Sequence, residues 1–365
     1  MDNRTTQPSS LIACLALYEI GSSTLFLLAA EAKQDAWIAM TMASAAGFVL
    51  LALYLAMHRM DPARDLFSLC RTYMGKWLGK AVGFAFFGYF AYEASRNLRD
   101  LVELTSQILL NDTPLFVIAL LSVAVVSNTA RYGGRILFLC SLVLFPFVIV
   151  GYLLLIFLLT GQHLIHAENL FPVLENGWRP VFRAAFPSLV SFPFGQTVLF
   201  LVFFPLVRTQ NRNFTRTVYL TYAAVSIFLI AMNQLILFVL GQSIAERVTF
   251  PLLESVQLIE FSQVFERMDI FFVFVLFLGL GLKLAAFFTG AATGISQLTG
   301  IGYRKGVFGT GLLIYGLSFI SPNYTHHIWL GKVVTYWFTI FQIVLPLLLF
   351  IAMKLDLGKR RPGHG

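Results

Sequence analysis

Apolar and polar positions alternate along this chain in long blocks. Ten apolar runs cover residues 11–30, 36–57, 81–109, 115–129, 136–159, 184–207, 218–240, 265–290, 307–320 and 333–353, and short polar or charged segments separate them. A helix rises 1.5 Å per residue, so about 20 apolar residues cross a hydrocarbon core of about 30 Å. Most of the runs meet that length; the fourth and ninth are short. The pattern predicts an all-α polytopic membrane protein with about ten transmembrane helices.

Two runs are interrupted. The first contains Tyr18-Glu19-Ile20-Gly21-Ser22-Ser23-Thr24 at its centre. Glycine lets the backbone leave helical geometry, and serine hydroxyls satisfy the groups this frees. One reading is a discontinuous helix whose opened backbone faces a ligand at mid-membrane. The other is a patch of small residues packed on a neighbouring helix. Glu19 favours the first, because a carboxylate inside a membrane is costly and usually functional. The sixth run holds Phe192-Pro193-Phe194-Gly195-Gln196, where proline removes a backbone donor and crowds the preceding turn. Breaks in helices 1 and 6 predict a five-plus-five inverted repeat over about 11–160 and 184–353, with a binding site where the halves meet. The whole reads as a single domain, 1–355, followed by a short basic tail, 356–365.

Composition agrees with a membrane protein: 58% of residues are hydrophobic and 12% charged. The net charge of +8 would suggest nucleic acid in a soluble protein. Here the positive-inside rule explains it, because 17 of the 26 basic residues fall on one side of the predicted membrane and six on the other. That places both termini in the cytoplasm and excludes a nucleic-acid partner. The first run has no cleavage site and reads as a retained helix.

Chemistry narrows further. Cys14, Cys70 and Cys140 are far apart, without metal spacing, so neither a disulfide nor a metal site is expected. His163, His166, His326 and His327 read as interfacial polar residues in outer loops. The glycines at 279–281 and 290–294 are packing surfaces, because no GK[ST] follows them. No nucleophile–base set points to an enzyme, and no cofactor is implied. Two outer loops, 163–183 and 241–266, look able to fold as surface helices over a vestibule.

The remaining signals are charges within apolar runs. Spacings of three and four put Glu93, Arg96, Asp100 and Glu103 on one helical stripe, with Arg99 beside it. The stripe reads either as a polar wall lining a cavity or as an ion-pair ladder that fixes packing. Lys283 lies ~24 Å along its helix from Arg267, which leaves open whether it snorkels to the inner interface or serves the site.

Several stretches together resemble one family. They are Glu19-Ile20-Gly21-Ser22-Ser23 with Glu31-Ala32-Lys33-Gln34-Asp35-Ala36-Trp37, then Gly75-Lys76-Trp77-Leu78-Gly79-Lys80. Pro172-Val173-Leu174-Glu175-Asn176-Gly177-Trp178, Phe192-Pro193-Phe194-Gly195 and Glu266-Arg267-Met268-Asp269-Ile270-Phe271-Phe272 follow. In order and over nearly the whole chain, this resembles the B subunit of the nutrient germinant receptors of endospore-forming bacteria, part of the amino acid–polyamine–organocation superfamily. The resemblance implies a LeuT-like fold in the spore inner membrane, a small nutrient germinant such as an amino acid, and A and C subunits as partners. It also implies that Gly21, Ser22 and Ser23 receive the ligand carboxylate, while Phe192, Phe194 and Gly195 face its amine and side chain. Facing geometry adds walls around Asn97 and around Leu280 and Gly281. Glu19, Glu93, Arg96, Asp100 and Lys283 are the expected intramembrane coupling charges. The Lys283 ammonium would stand where sodium-coupled relatives hold an ion. Two functions follow: a sensor, or an amino acid transporter coupled to protons through Glu19 or Glu93.

Overall fold

Each apolar run folds as a helix, or as a series of helical pieces, in the computed structural model, which describes residues 6–207, 212–259 and 269–360. The first pass is α1 (Pro8–Ser23), opened by a proline whose missing N–H is of no consequence in a first turn. The second is α2 (Ala36–Met60). The short amphipathic α3 (Leu66–Tyr73) is capped by Asp65, which accepts from the Ser68 backbone N–H at 2.9 Å. Next come α4 (Lys76–Ile108), α5 (Leu115–Ala130) and α6 (Gly134–Gly161).

The sixth pass is built from pieces, beginning with α7 (Trp178–Ala184) and ending near α8 (Phe200–Phe203). The next elements are α9 (Arg212–Ala245), kinked at Gly241 (φ 68°), and α10 (Pro251–Gln257), which is helical as expected but packed into the protein, with five of its seven residues buried. The series closes with α11 (Asp269–Thr299), α12 (Tyr303–Ser318), α13 (Tyr324–Thr339) and α14 (Leu345–Arg360). A π-helical segment over Ile340–Val344 joins the last two into one pass. Among the described residues, six passes are long and apolar enough to cross a membrane by length and composition. The others are shorter, like the 16-residue α1, or charged, like α4. The arrangement is a five-plus-five LeuT-like bundle with both breaks in place.

At the middle stand α1, α4 and α11. α1 is buried along almost its whole length and has no polar face turned to solvent, as befits an innermost helix. Its crossing with α11 is a glycine-on-glycine contact: a Cβ on Gly21 would lie 2.5 Å from the Gly279 carbonyl oxygen. Gly21 is therefore fully helical, and the packing-patch reading describes that residue. The break comes just after it, at Thr24, and residues 24–29 have no regular helix. Asn233 of α9 takes the place of a backbone partner there. Its Oδ1 accepts from the Leu28 N–H at 2.8 Å, and its Nδ2 donates to the Leu28 carbonyl at 3.1 Å.

The second break is longer than Pro193 and Gly195 imply. Phe186 is extended (φ −123°, ψ 130°), and the chain then passes through a turn into the 3₁₀ segment Phe194–Leu199. Outside this core, two stretches from the resemblance meet. Gln34 Nε2 donates to the Pro172 carbonyl at 2.9 Å, and Asp35 Oδ1 accepts from the Leu174 N–H at 2.9 Å. Arg183 lies 3.6 Å from Glu31. Arg4, Arg208, the Glu266-Arg267-Met268 part of the last motif and the end of the basic tail (361–365) lie outside the described residues.

Candidate functional site

A broken helix releases backbone carbonyls that hydrocarbon cannot satisfy, so other groups must take them up. Tyr18 Oη of α1 donates to the Gln196 carbonyl at 2.8 Å. Gln342 Nε2 donates to the Ser191 carbonyl at 3.0 Å and to Tyr89 Oη at 2.7 Å. Tyr54 in turn donates to the Gln342 carbonyl at 2.5 Å. At the end of the pass, Thr6 binds the Leu206 carbonyl through its N–H (3.1 Å) and its hydroxyl (2.9 Å). Side chains from other passes thus hold the opened sixth pass in shape. Gly195 is confined by the same scaffold, because a Cβ there would lie 2.5 Å from Gln342 Oε1 and 2.6 Å from the Val190 carbonyl.

Next to this scaffold lies a buried polar centre. Glu19 (α1), Glu93 (α4) and Lys283 (α11) are at most 3% exposed. Lys283 does not snorkel. Its Nζ lies 5.2 Å from the Tyr18 ring centroid and 4.9 Å from that of Phe192, a cation–π pocket. Its stem passes Gly21, where a Cβ would be 3.0 Å from Lys283 Cβ. The closely packed α1–α11 crossing and the two rings hold the chain inside the bundle.

Buried together, Glu19, Glu93 and Lys283 bring groups of both signs out of reach of water. Yet several buried atoms have no hydrogen-bond partner among the described residues: both Glu19 oxygens, Ser22 Oγ, Glu93 Oε1, Asn97 Oδ1, the Gln196 amide and Lys283 Nζ. Gln196 stands beside Glu93 without meeting hydrogen-bond geometry. Buried charge and amide left this way cost several kcal/mol in an ordinary core. Such a set suits a ligand that brings charge of both signs.

The structure sorts the expected residues. Ser22 Oγ and Asn97 Oδ1 are buried without a partner among the described residues, Phe192 covers Lys283, and Glu19 and Glu93 are the buried carboxylates. The Ser23 hydroxyl returns to the Glu19 carbonyl at 2.5 Å. Phe194 packs away from Lys283, edge-on to Tyr222 of α9 at 6.3 Å. Gly281 faces Leu101 of α4, and Leu280 is buried beside it, whereas Gly279 and Lys283 take the α1 side.

The outer part of the α4 stripe is used differently. Arg99 pairs with Glu103 at 2.7 Å, and Arg96 donates to the His327 carbonyl at 3.1 Å. Asp100 accepts from His327 Nε2 and Tyr324 Oη, both at 3.1 Å. The stripe is thus a ladder at its outer end and a polar wall at its inner end. His327 is a correction: it is buried on α13, not in an outer loop, because Asn323 caps that helix and turns it inward. Sequence reading also missed Tyr18, Gln196 and Gln342 as scaffold. Hydroxyls and amides inside apolar runs are the signal that marks them.

Residues 5–326 match the family model described as spore germination protein. The chain belongs to the spore germination protein family. Spore germination protein KB of Bacillus subtilis (strain 168) is 29% identical, with 97% of this chain and 96% of that one covered. Spore germination protein YndE of the same organism is 24% identical, with 96% of each chain covered. Spore germination protein A2 is 22% identical over 90% of this chain and 87% of that one. In fold, the family member resembles Mhp1, a nucleobase-cation-symport-1 family transporter solved in a closed conformation with bromovinylhydantoin bound. The TM-score is 0.69 at 13% identity, over 99% of this chain and 81% of that one. This spore germination protein is a multi-pass membrane protein, and its family and fold point to a receptor or transporter rather than an enzyme.

Proposed function

We propose that the chain is the nutrient-sensing subunit of a spore germinant receptor and binds a small amino acid at mid-membrane. The observation that carries this is the partnerless polar centre between the two breaks. Lys283 Nζ and Ser22 Oγ suit a carboxylate, and Glu19 and Glu93 suit an ammonium, so an amino acid zwitterion matches the set. Phe192 lies over Lys283 and crowds the site, which favours a small residue. In this reading the Lys283 ammonium, packed beside α1, takes the place of a coupling ion. Ligand shifts the bundle toward the state it binds more tightly. The outer cap, where the segment around Gln34 meets that around Leu174, passes the change to A and C subunits. The 17-to-6 charge asymmetry supports cytoplasmic termini, here on the core side of the spore inner membrane.

The alternative is an amino acid transporter, which the carboxylates Glu19 and Glu93 would suit as proton carriers. Binding and uptake measured on one reconstituted sample separate the two. Labelled L-alanine and a panel of amino acids are tested in proteoliposomes beside Lys283→Met. Saturable binding without accumulation, lost in the variant, is the expected result. Accumulation inside the vesicles makes the protein a transporter, and absence of binding to any amino acid overturns the assigned ligand class.

A further inference from the structure

Two grooves on the outside of the bundle, of about 900 and 730 Å³, share Phe48 and Ala223 and so run end to end between α2 and α9. The first is lined by large apolar residues such as Trp37, Ile227 and Phe238, with small ones such as Ser44 and Ala45 between them. The second is lined by Tyr219, Leu220 and Thr215 and ends at Arg59 and Arg216. Neither arginine has an ion pair or a side-chain hydrogen bond among the described residues. On α2, Arg59 and Phe48 are 11 residues apart, or roughly 16 Å of helix, about half the thickness of a hydrocarbon core.

We propose that this second groove is a binding site for an anionic phospholipid of the leaflet on the α2–α3 side. Its phosphate sits between Arg59 and Arg216, and an acyl chain lies along Phe48 and Ala223. Charge complementarity selects this occupant. An apolar slot half a membrane deep, closed at the interface by two unpaired guanidinium groups, matches a lipid with a negative head. A transmembrane helix of a partner would leave both arginines without a counter-charge unless it carried acidic residues at that depth.

The slot lies one layer of side chains from the broken sixth pass. Phe48 stacks on Tyr219 at 4.9 Å and meets Tyr222 edge-on at 5.7 Å, and Tyr222 in turn packs on Phe194. Gly47 lets α2 come this close, since a Cβ there would lie 2.7 Å from Phe194 Cβ. A lipid in the slot therefore supports the wall behind Phe194 and stiffens the α2–α9 pair.

The test uses the full chain in nanodiscs of phosphatidylcholine, with or without an equal amount of phosphatidylglycerol, read by native mass spectrometry and by Tm. The wild type is expected to retain a phosphatidylglycerol adduct and to melt higher when that lipid is present. Arg59→Gln with Arg216→Gln should weaken retention roughly thirtyfold, from the usual contribution of a basic side chain near an anionic surface. Ala223→Phe, which fills the slot and keeps both charges, should also lose the adduct. Arg59→Lys with Arg216→Lys should keep most of it, as should Arg131→Gln with Arg135→Gln, which alters basic residues outside the groove. Undiminished retention in both the Gln double variant and Ala223→Phe overturns the site. So does cross-linking of an Ala223→Cys chain to a second copy, which would make the groove a protein interface. A Tm rise with glycerol phosphate alone, equal to that with lipid, would reduce the site to a phosphate contact and overturn the acyl slot. None of these readouts depends on a germinant, so failure here leaves the proposed function standing.

Discussion

The inner and outer halves of α4 carry the same kinds of residue to opposite ends. Towards the outside, Arg99 has Glu103, Arg96 has a carbonyl of α13, and Asp100 has both His327 and Tyr324. Within two turns on the same helix, Glu93 Oε1 and Asn97 Oδ1 have no partner among the described residues, and neither has Lys283 Nζ of α11. Buried charge in this bundle is therefore of two kinds, one satisfied by neighbouring side chains and one left over, and the proposed site is built on the second. The outer half holds α13 against α4, while the inner half is held ready by its neighbours at the expense of its own stability.

The sharpest way to break the comparison is Arg99→Ala. It strands Glu103 in a nearly dry position, and removal of one member of a buried pair costs about 3–5 kcal/mol. Unfolding in detergent should show a loss of that size. A change below about 1 kcal/mol would mean that the outer ladder is not structural. Gly21→Ala comes next. Its Cβ would meet the Gly279 carbonyl, and overpacking of this kind costs about 1–3 kcal/mol. The same unfolding assay checks it, and a neutral result would show that the α1–α11 crossing is loose. Lys283→Met should have the smallest effect on stability, within about 1 kcal/mol, because a hydrophobe of similar length replaces a cation that has no ion pair. Amino acid binding should nonetheless fall at least about tenfold, or about 1.4 kcal/mol. If Lys283→Met unfolds the protein as readily as Arg99→Ala, the two halves of α4 do the same work and the distinction fails.

The fold was legible because hydropathy is read along one dimension: ten apolar runs give ten passes, and prolines and glycines mark where two of them open. Much of the polar centre was legible for a related reason. Glu19, Ser22, Glu93, Asn97 and Lys283 each stand out against an apolar background. Pairing was not legible. Asp100 and His327 are 227 residues apart and meet only because α13 packs on α4. Gly21 could not be told from a hinge without Gly279 opposite it, which moved the first break by one turn. Nor does the sequence say that Gln342, far along the chain, closes the carbonyl at Ser191.

The Tyr18–Gln196 hydrogen bond carries a mechanical consequence. The two discontinuous passes cannot separate at this level without exposing a carbonyl to hydrocarbon, so their parting has a threshold and not a slope. Tyr18 is also one of the two rings over Lys283. A molecule that pulls on that ammonium therefore pulls on the latch as well.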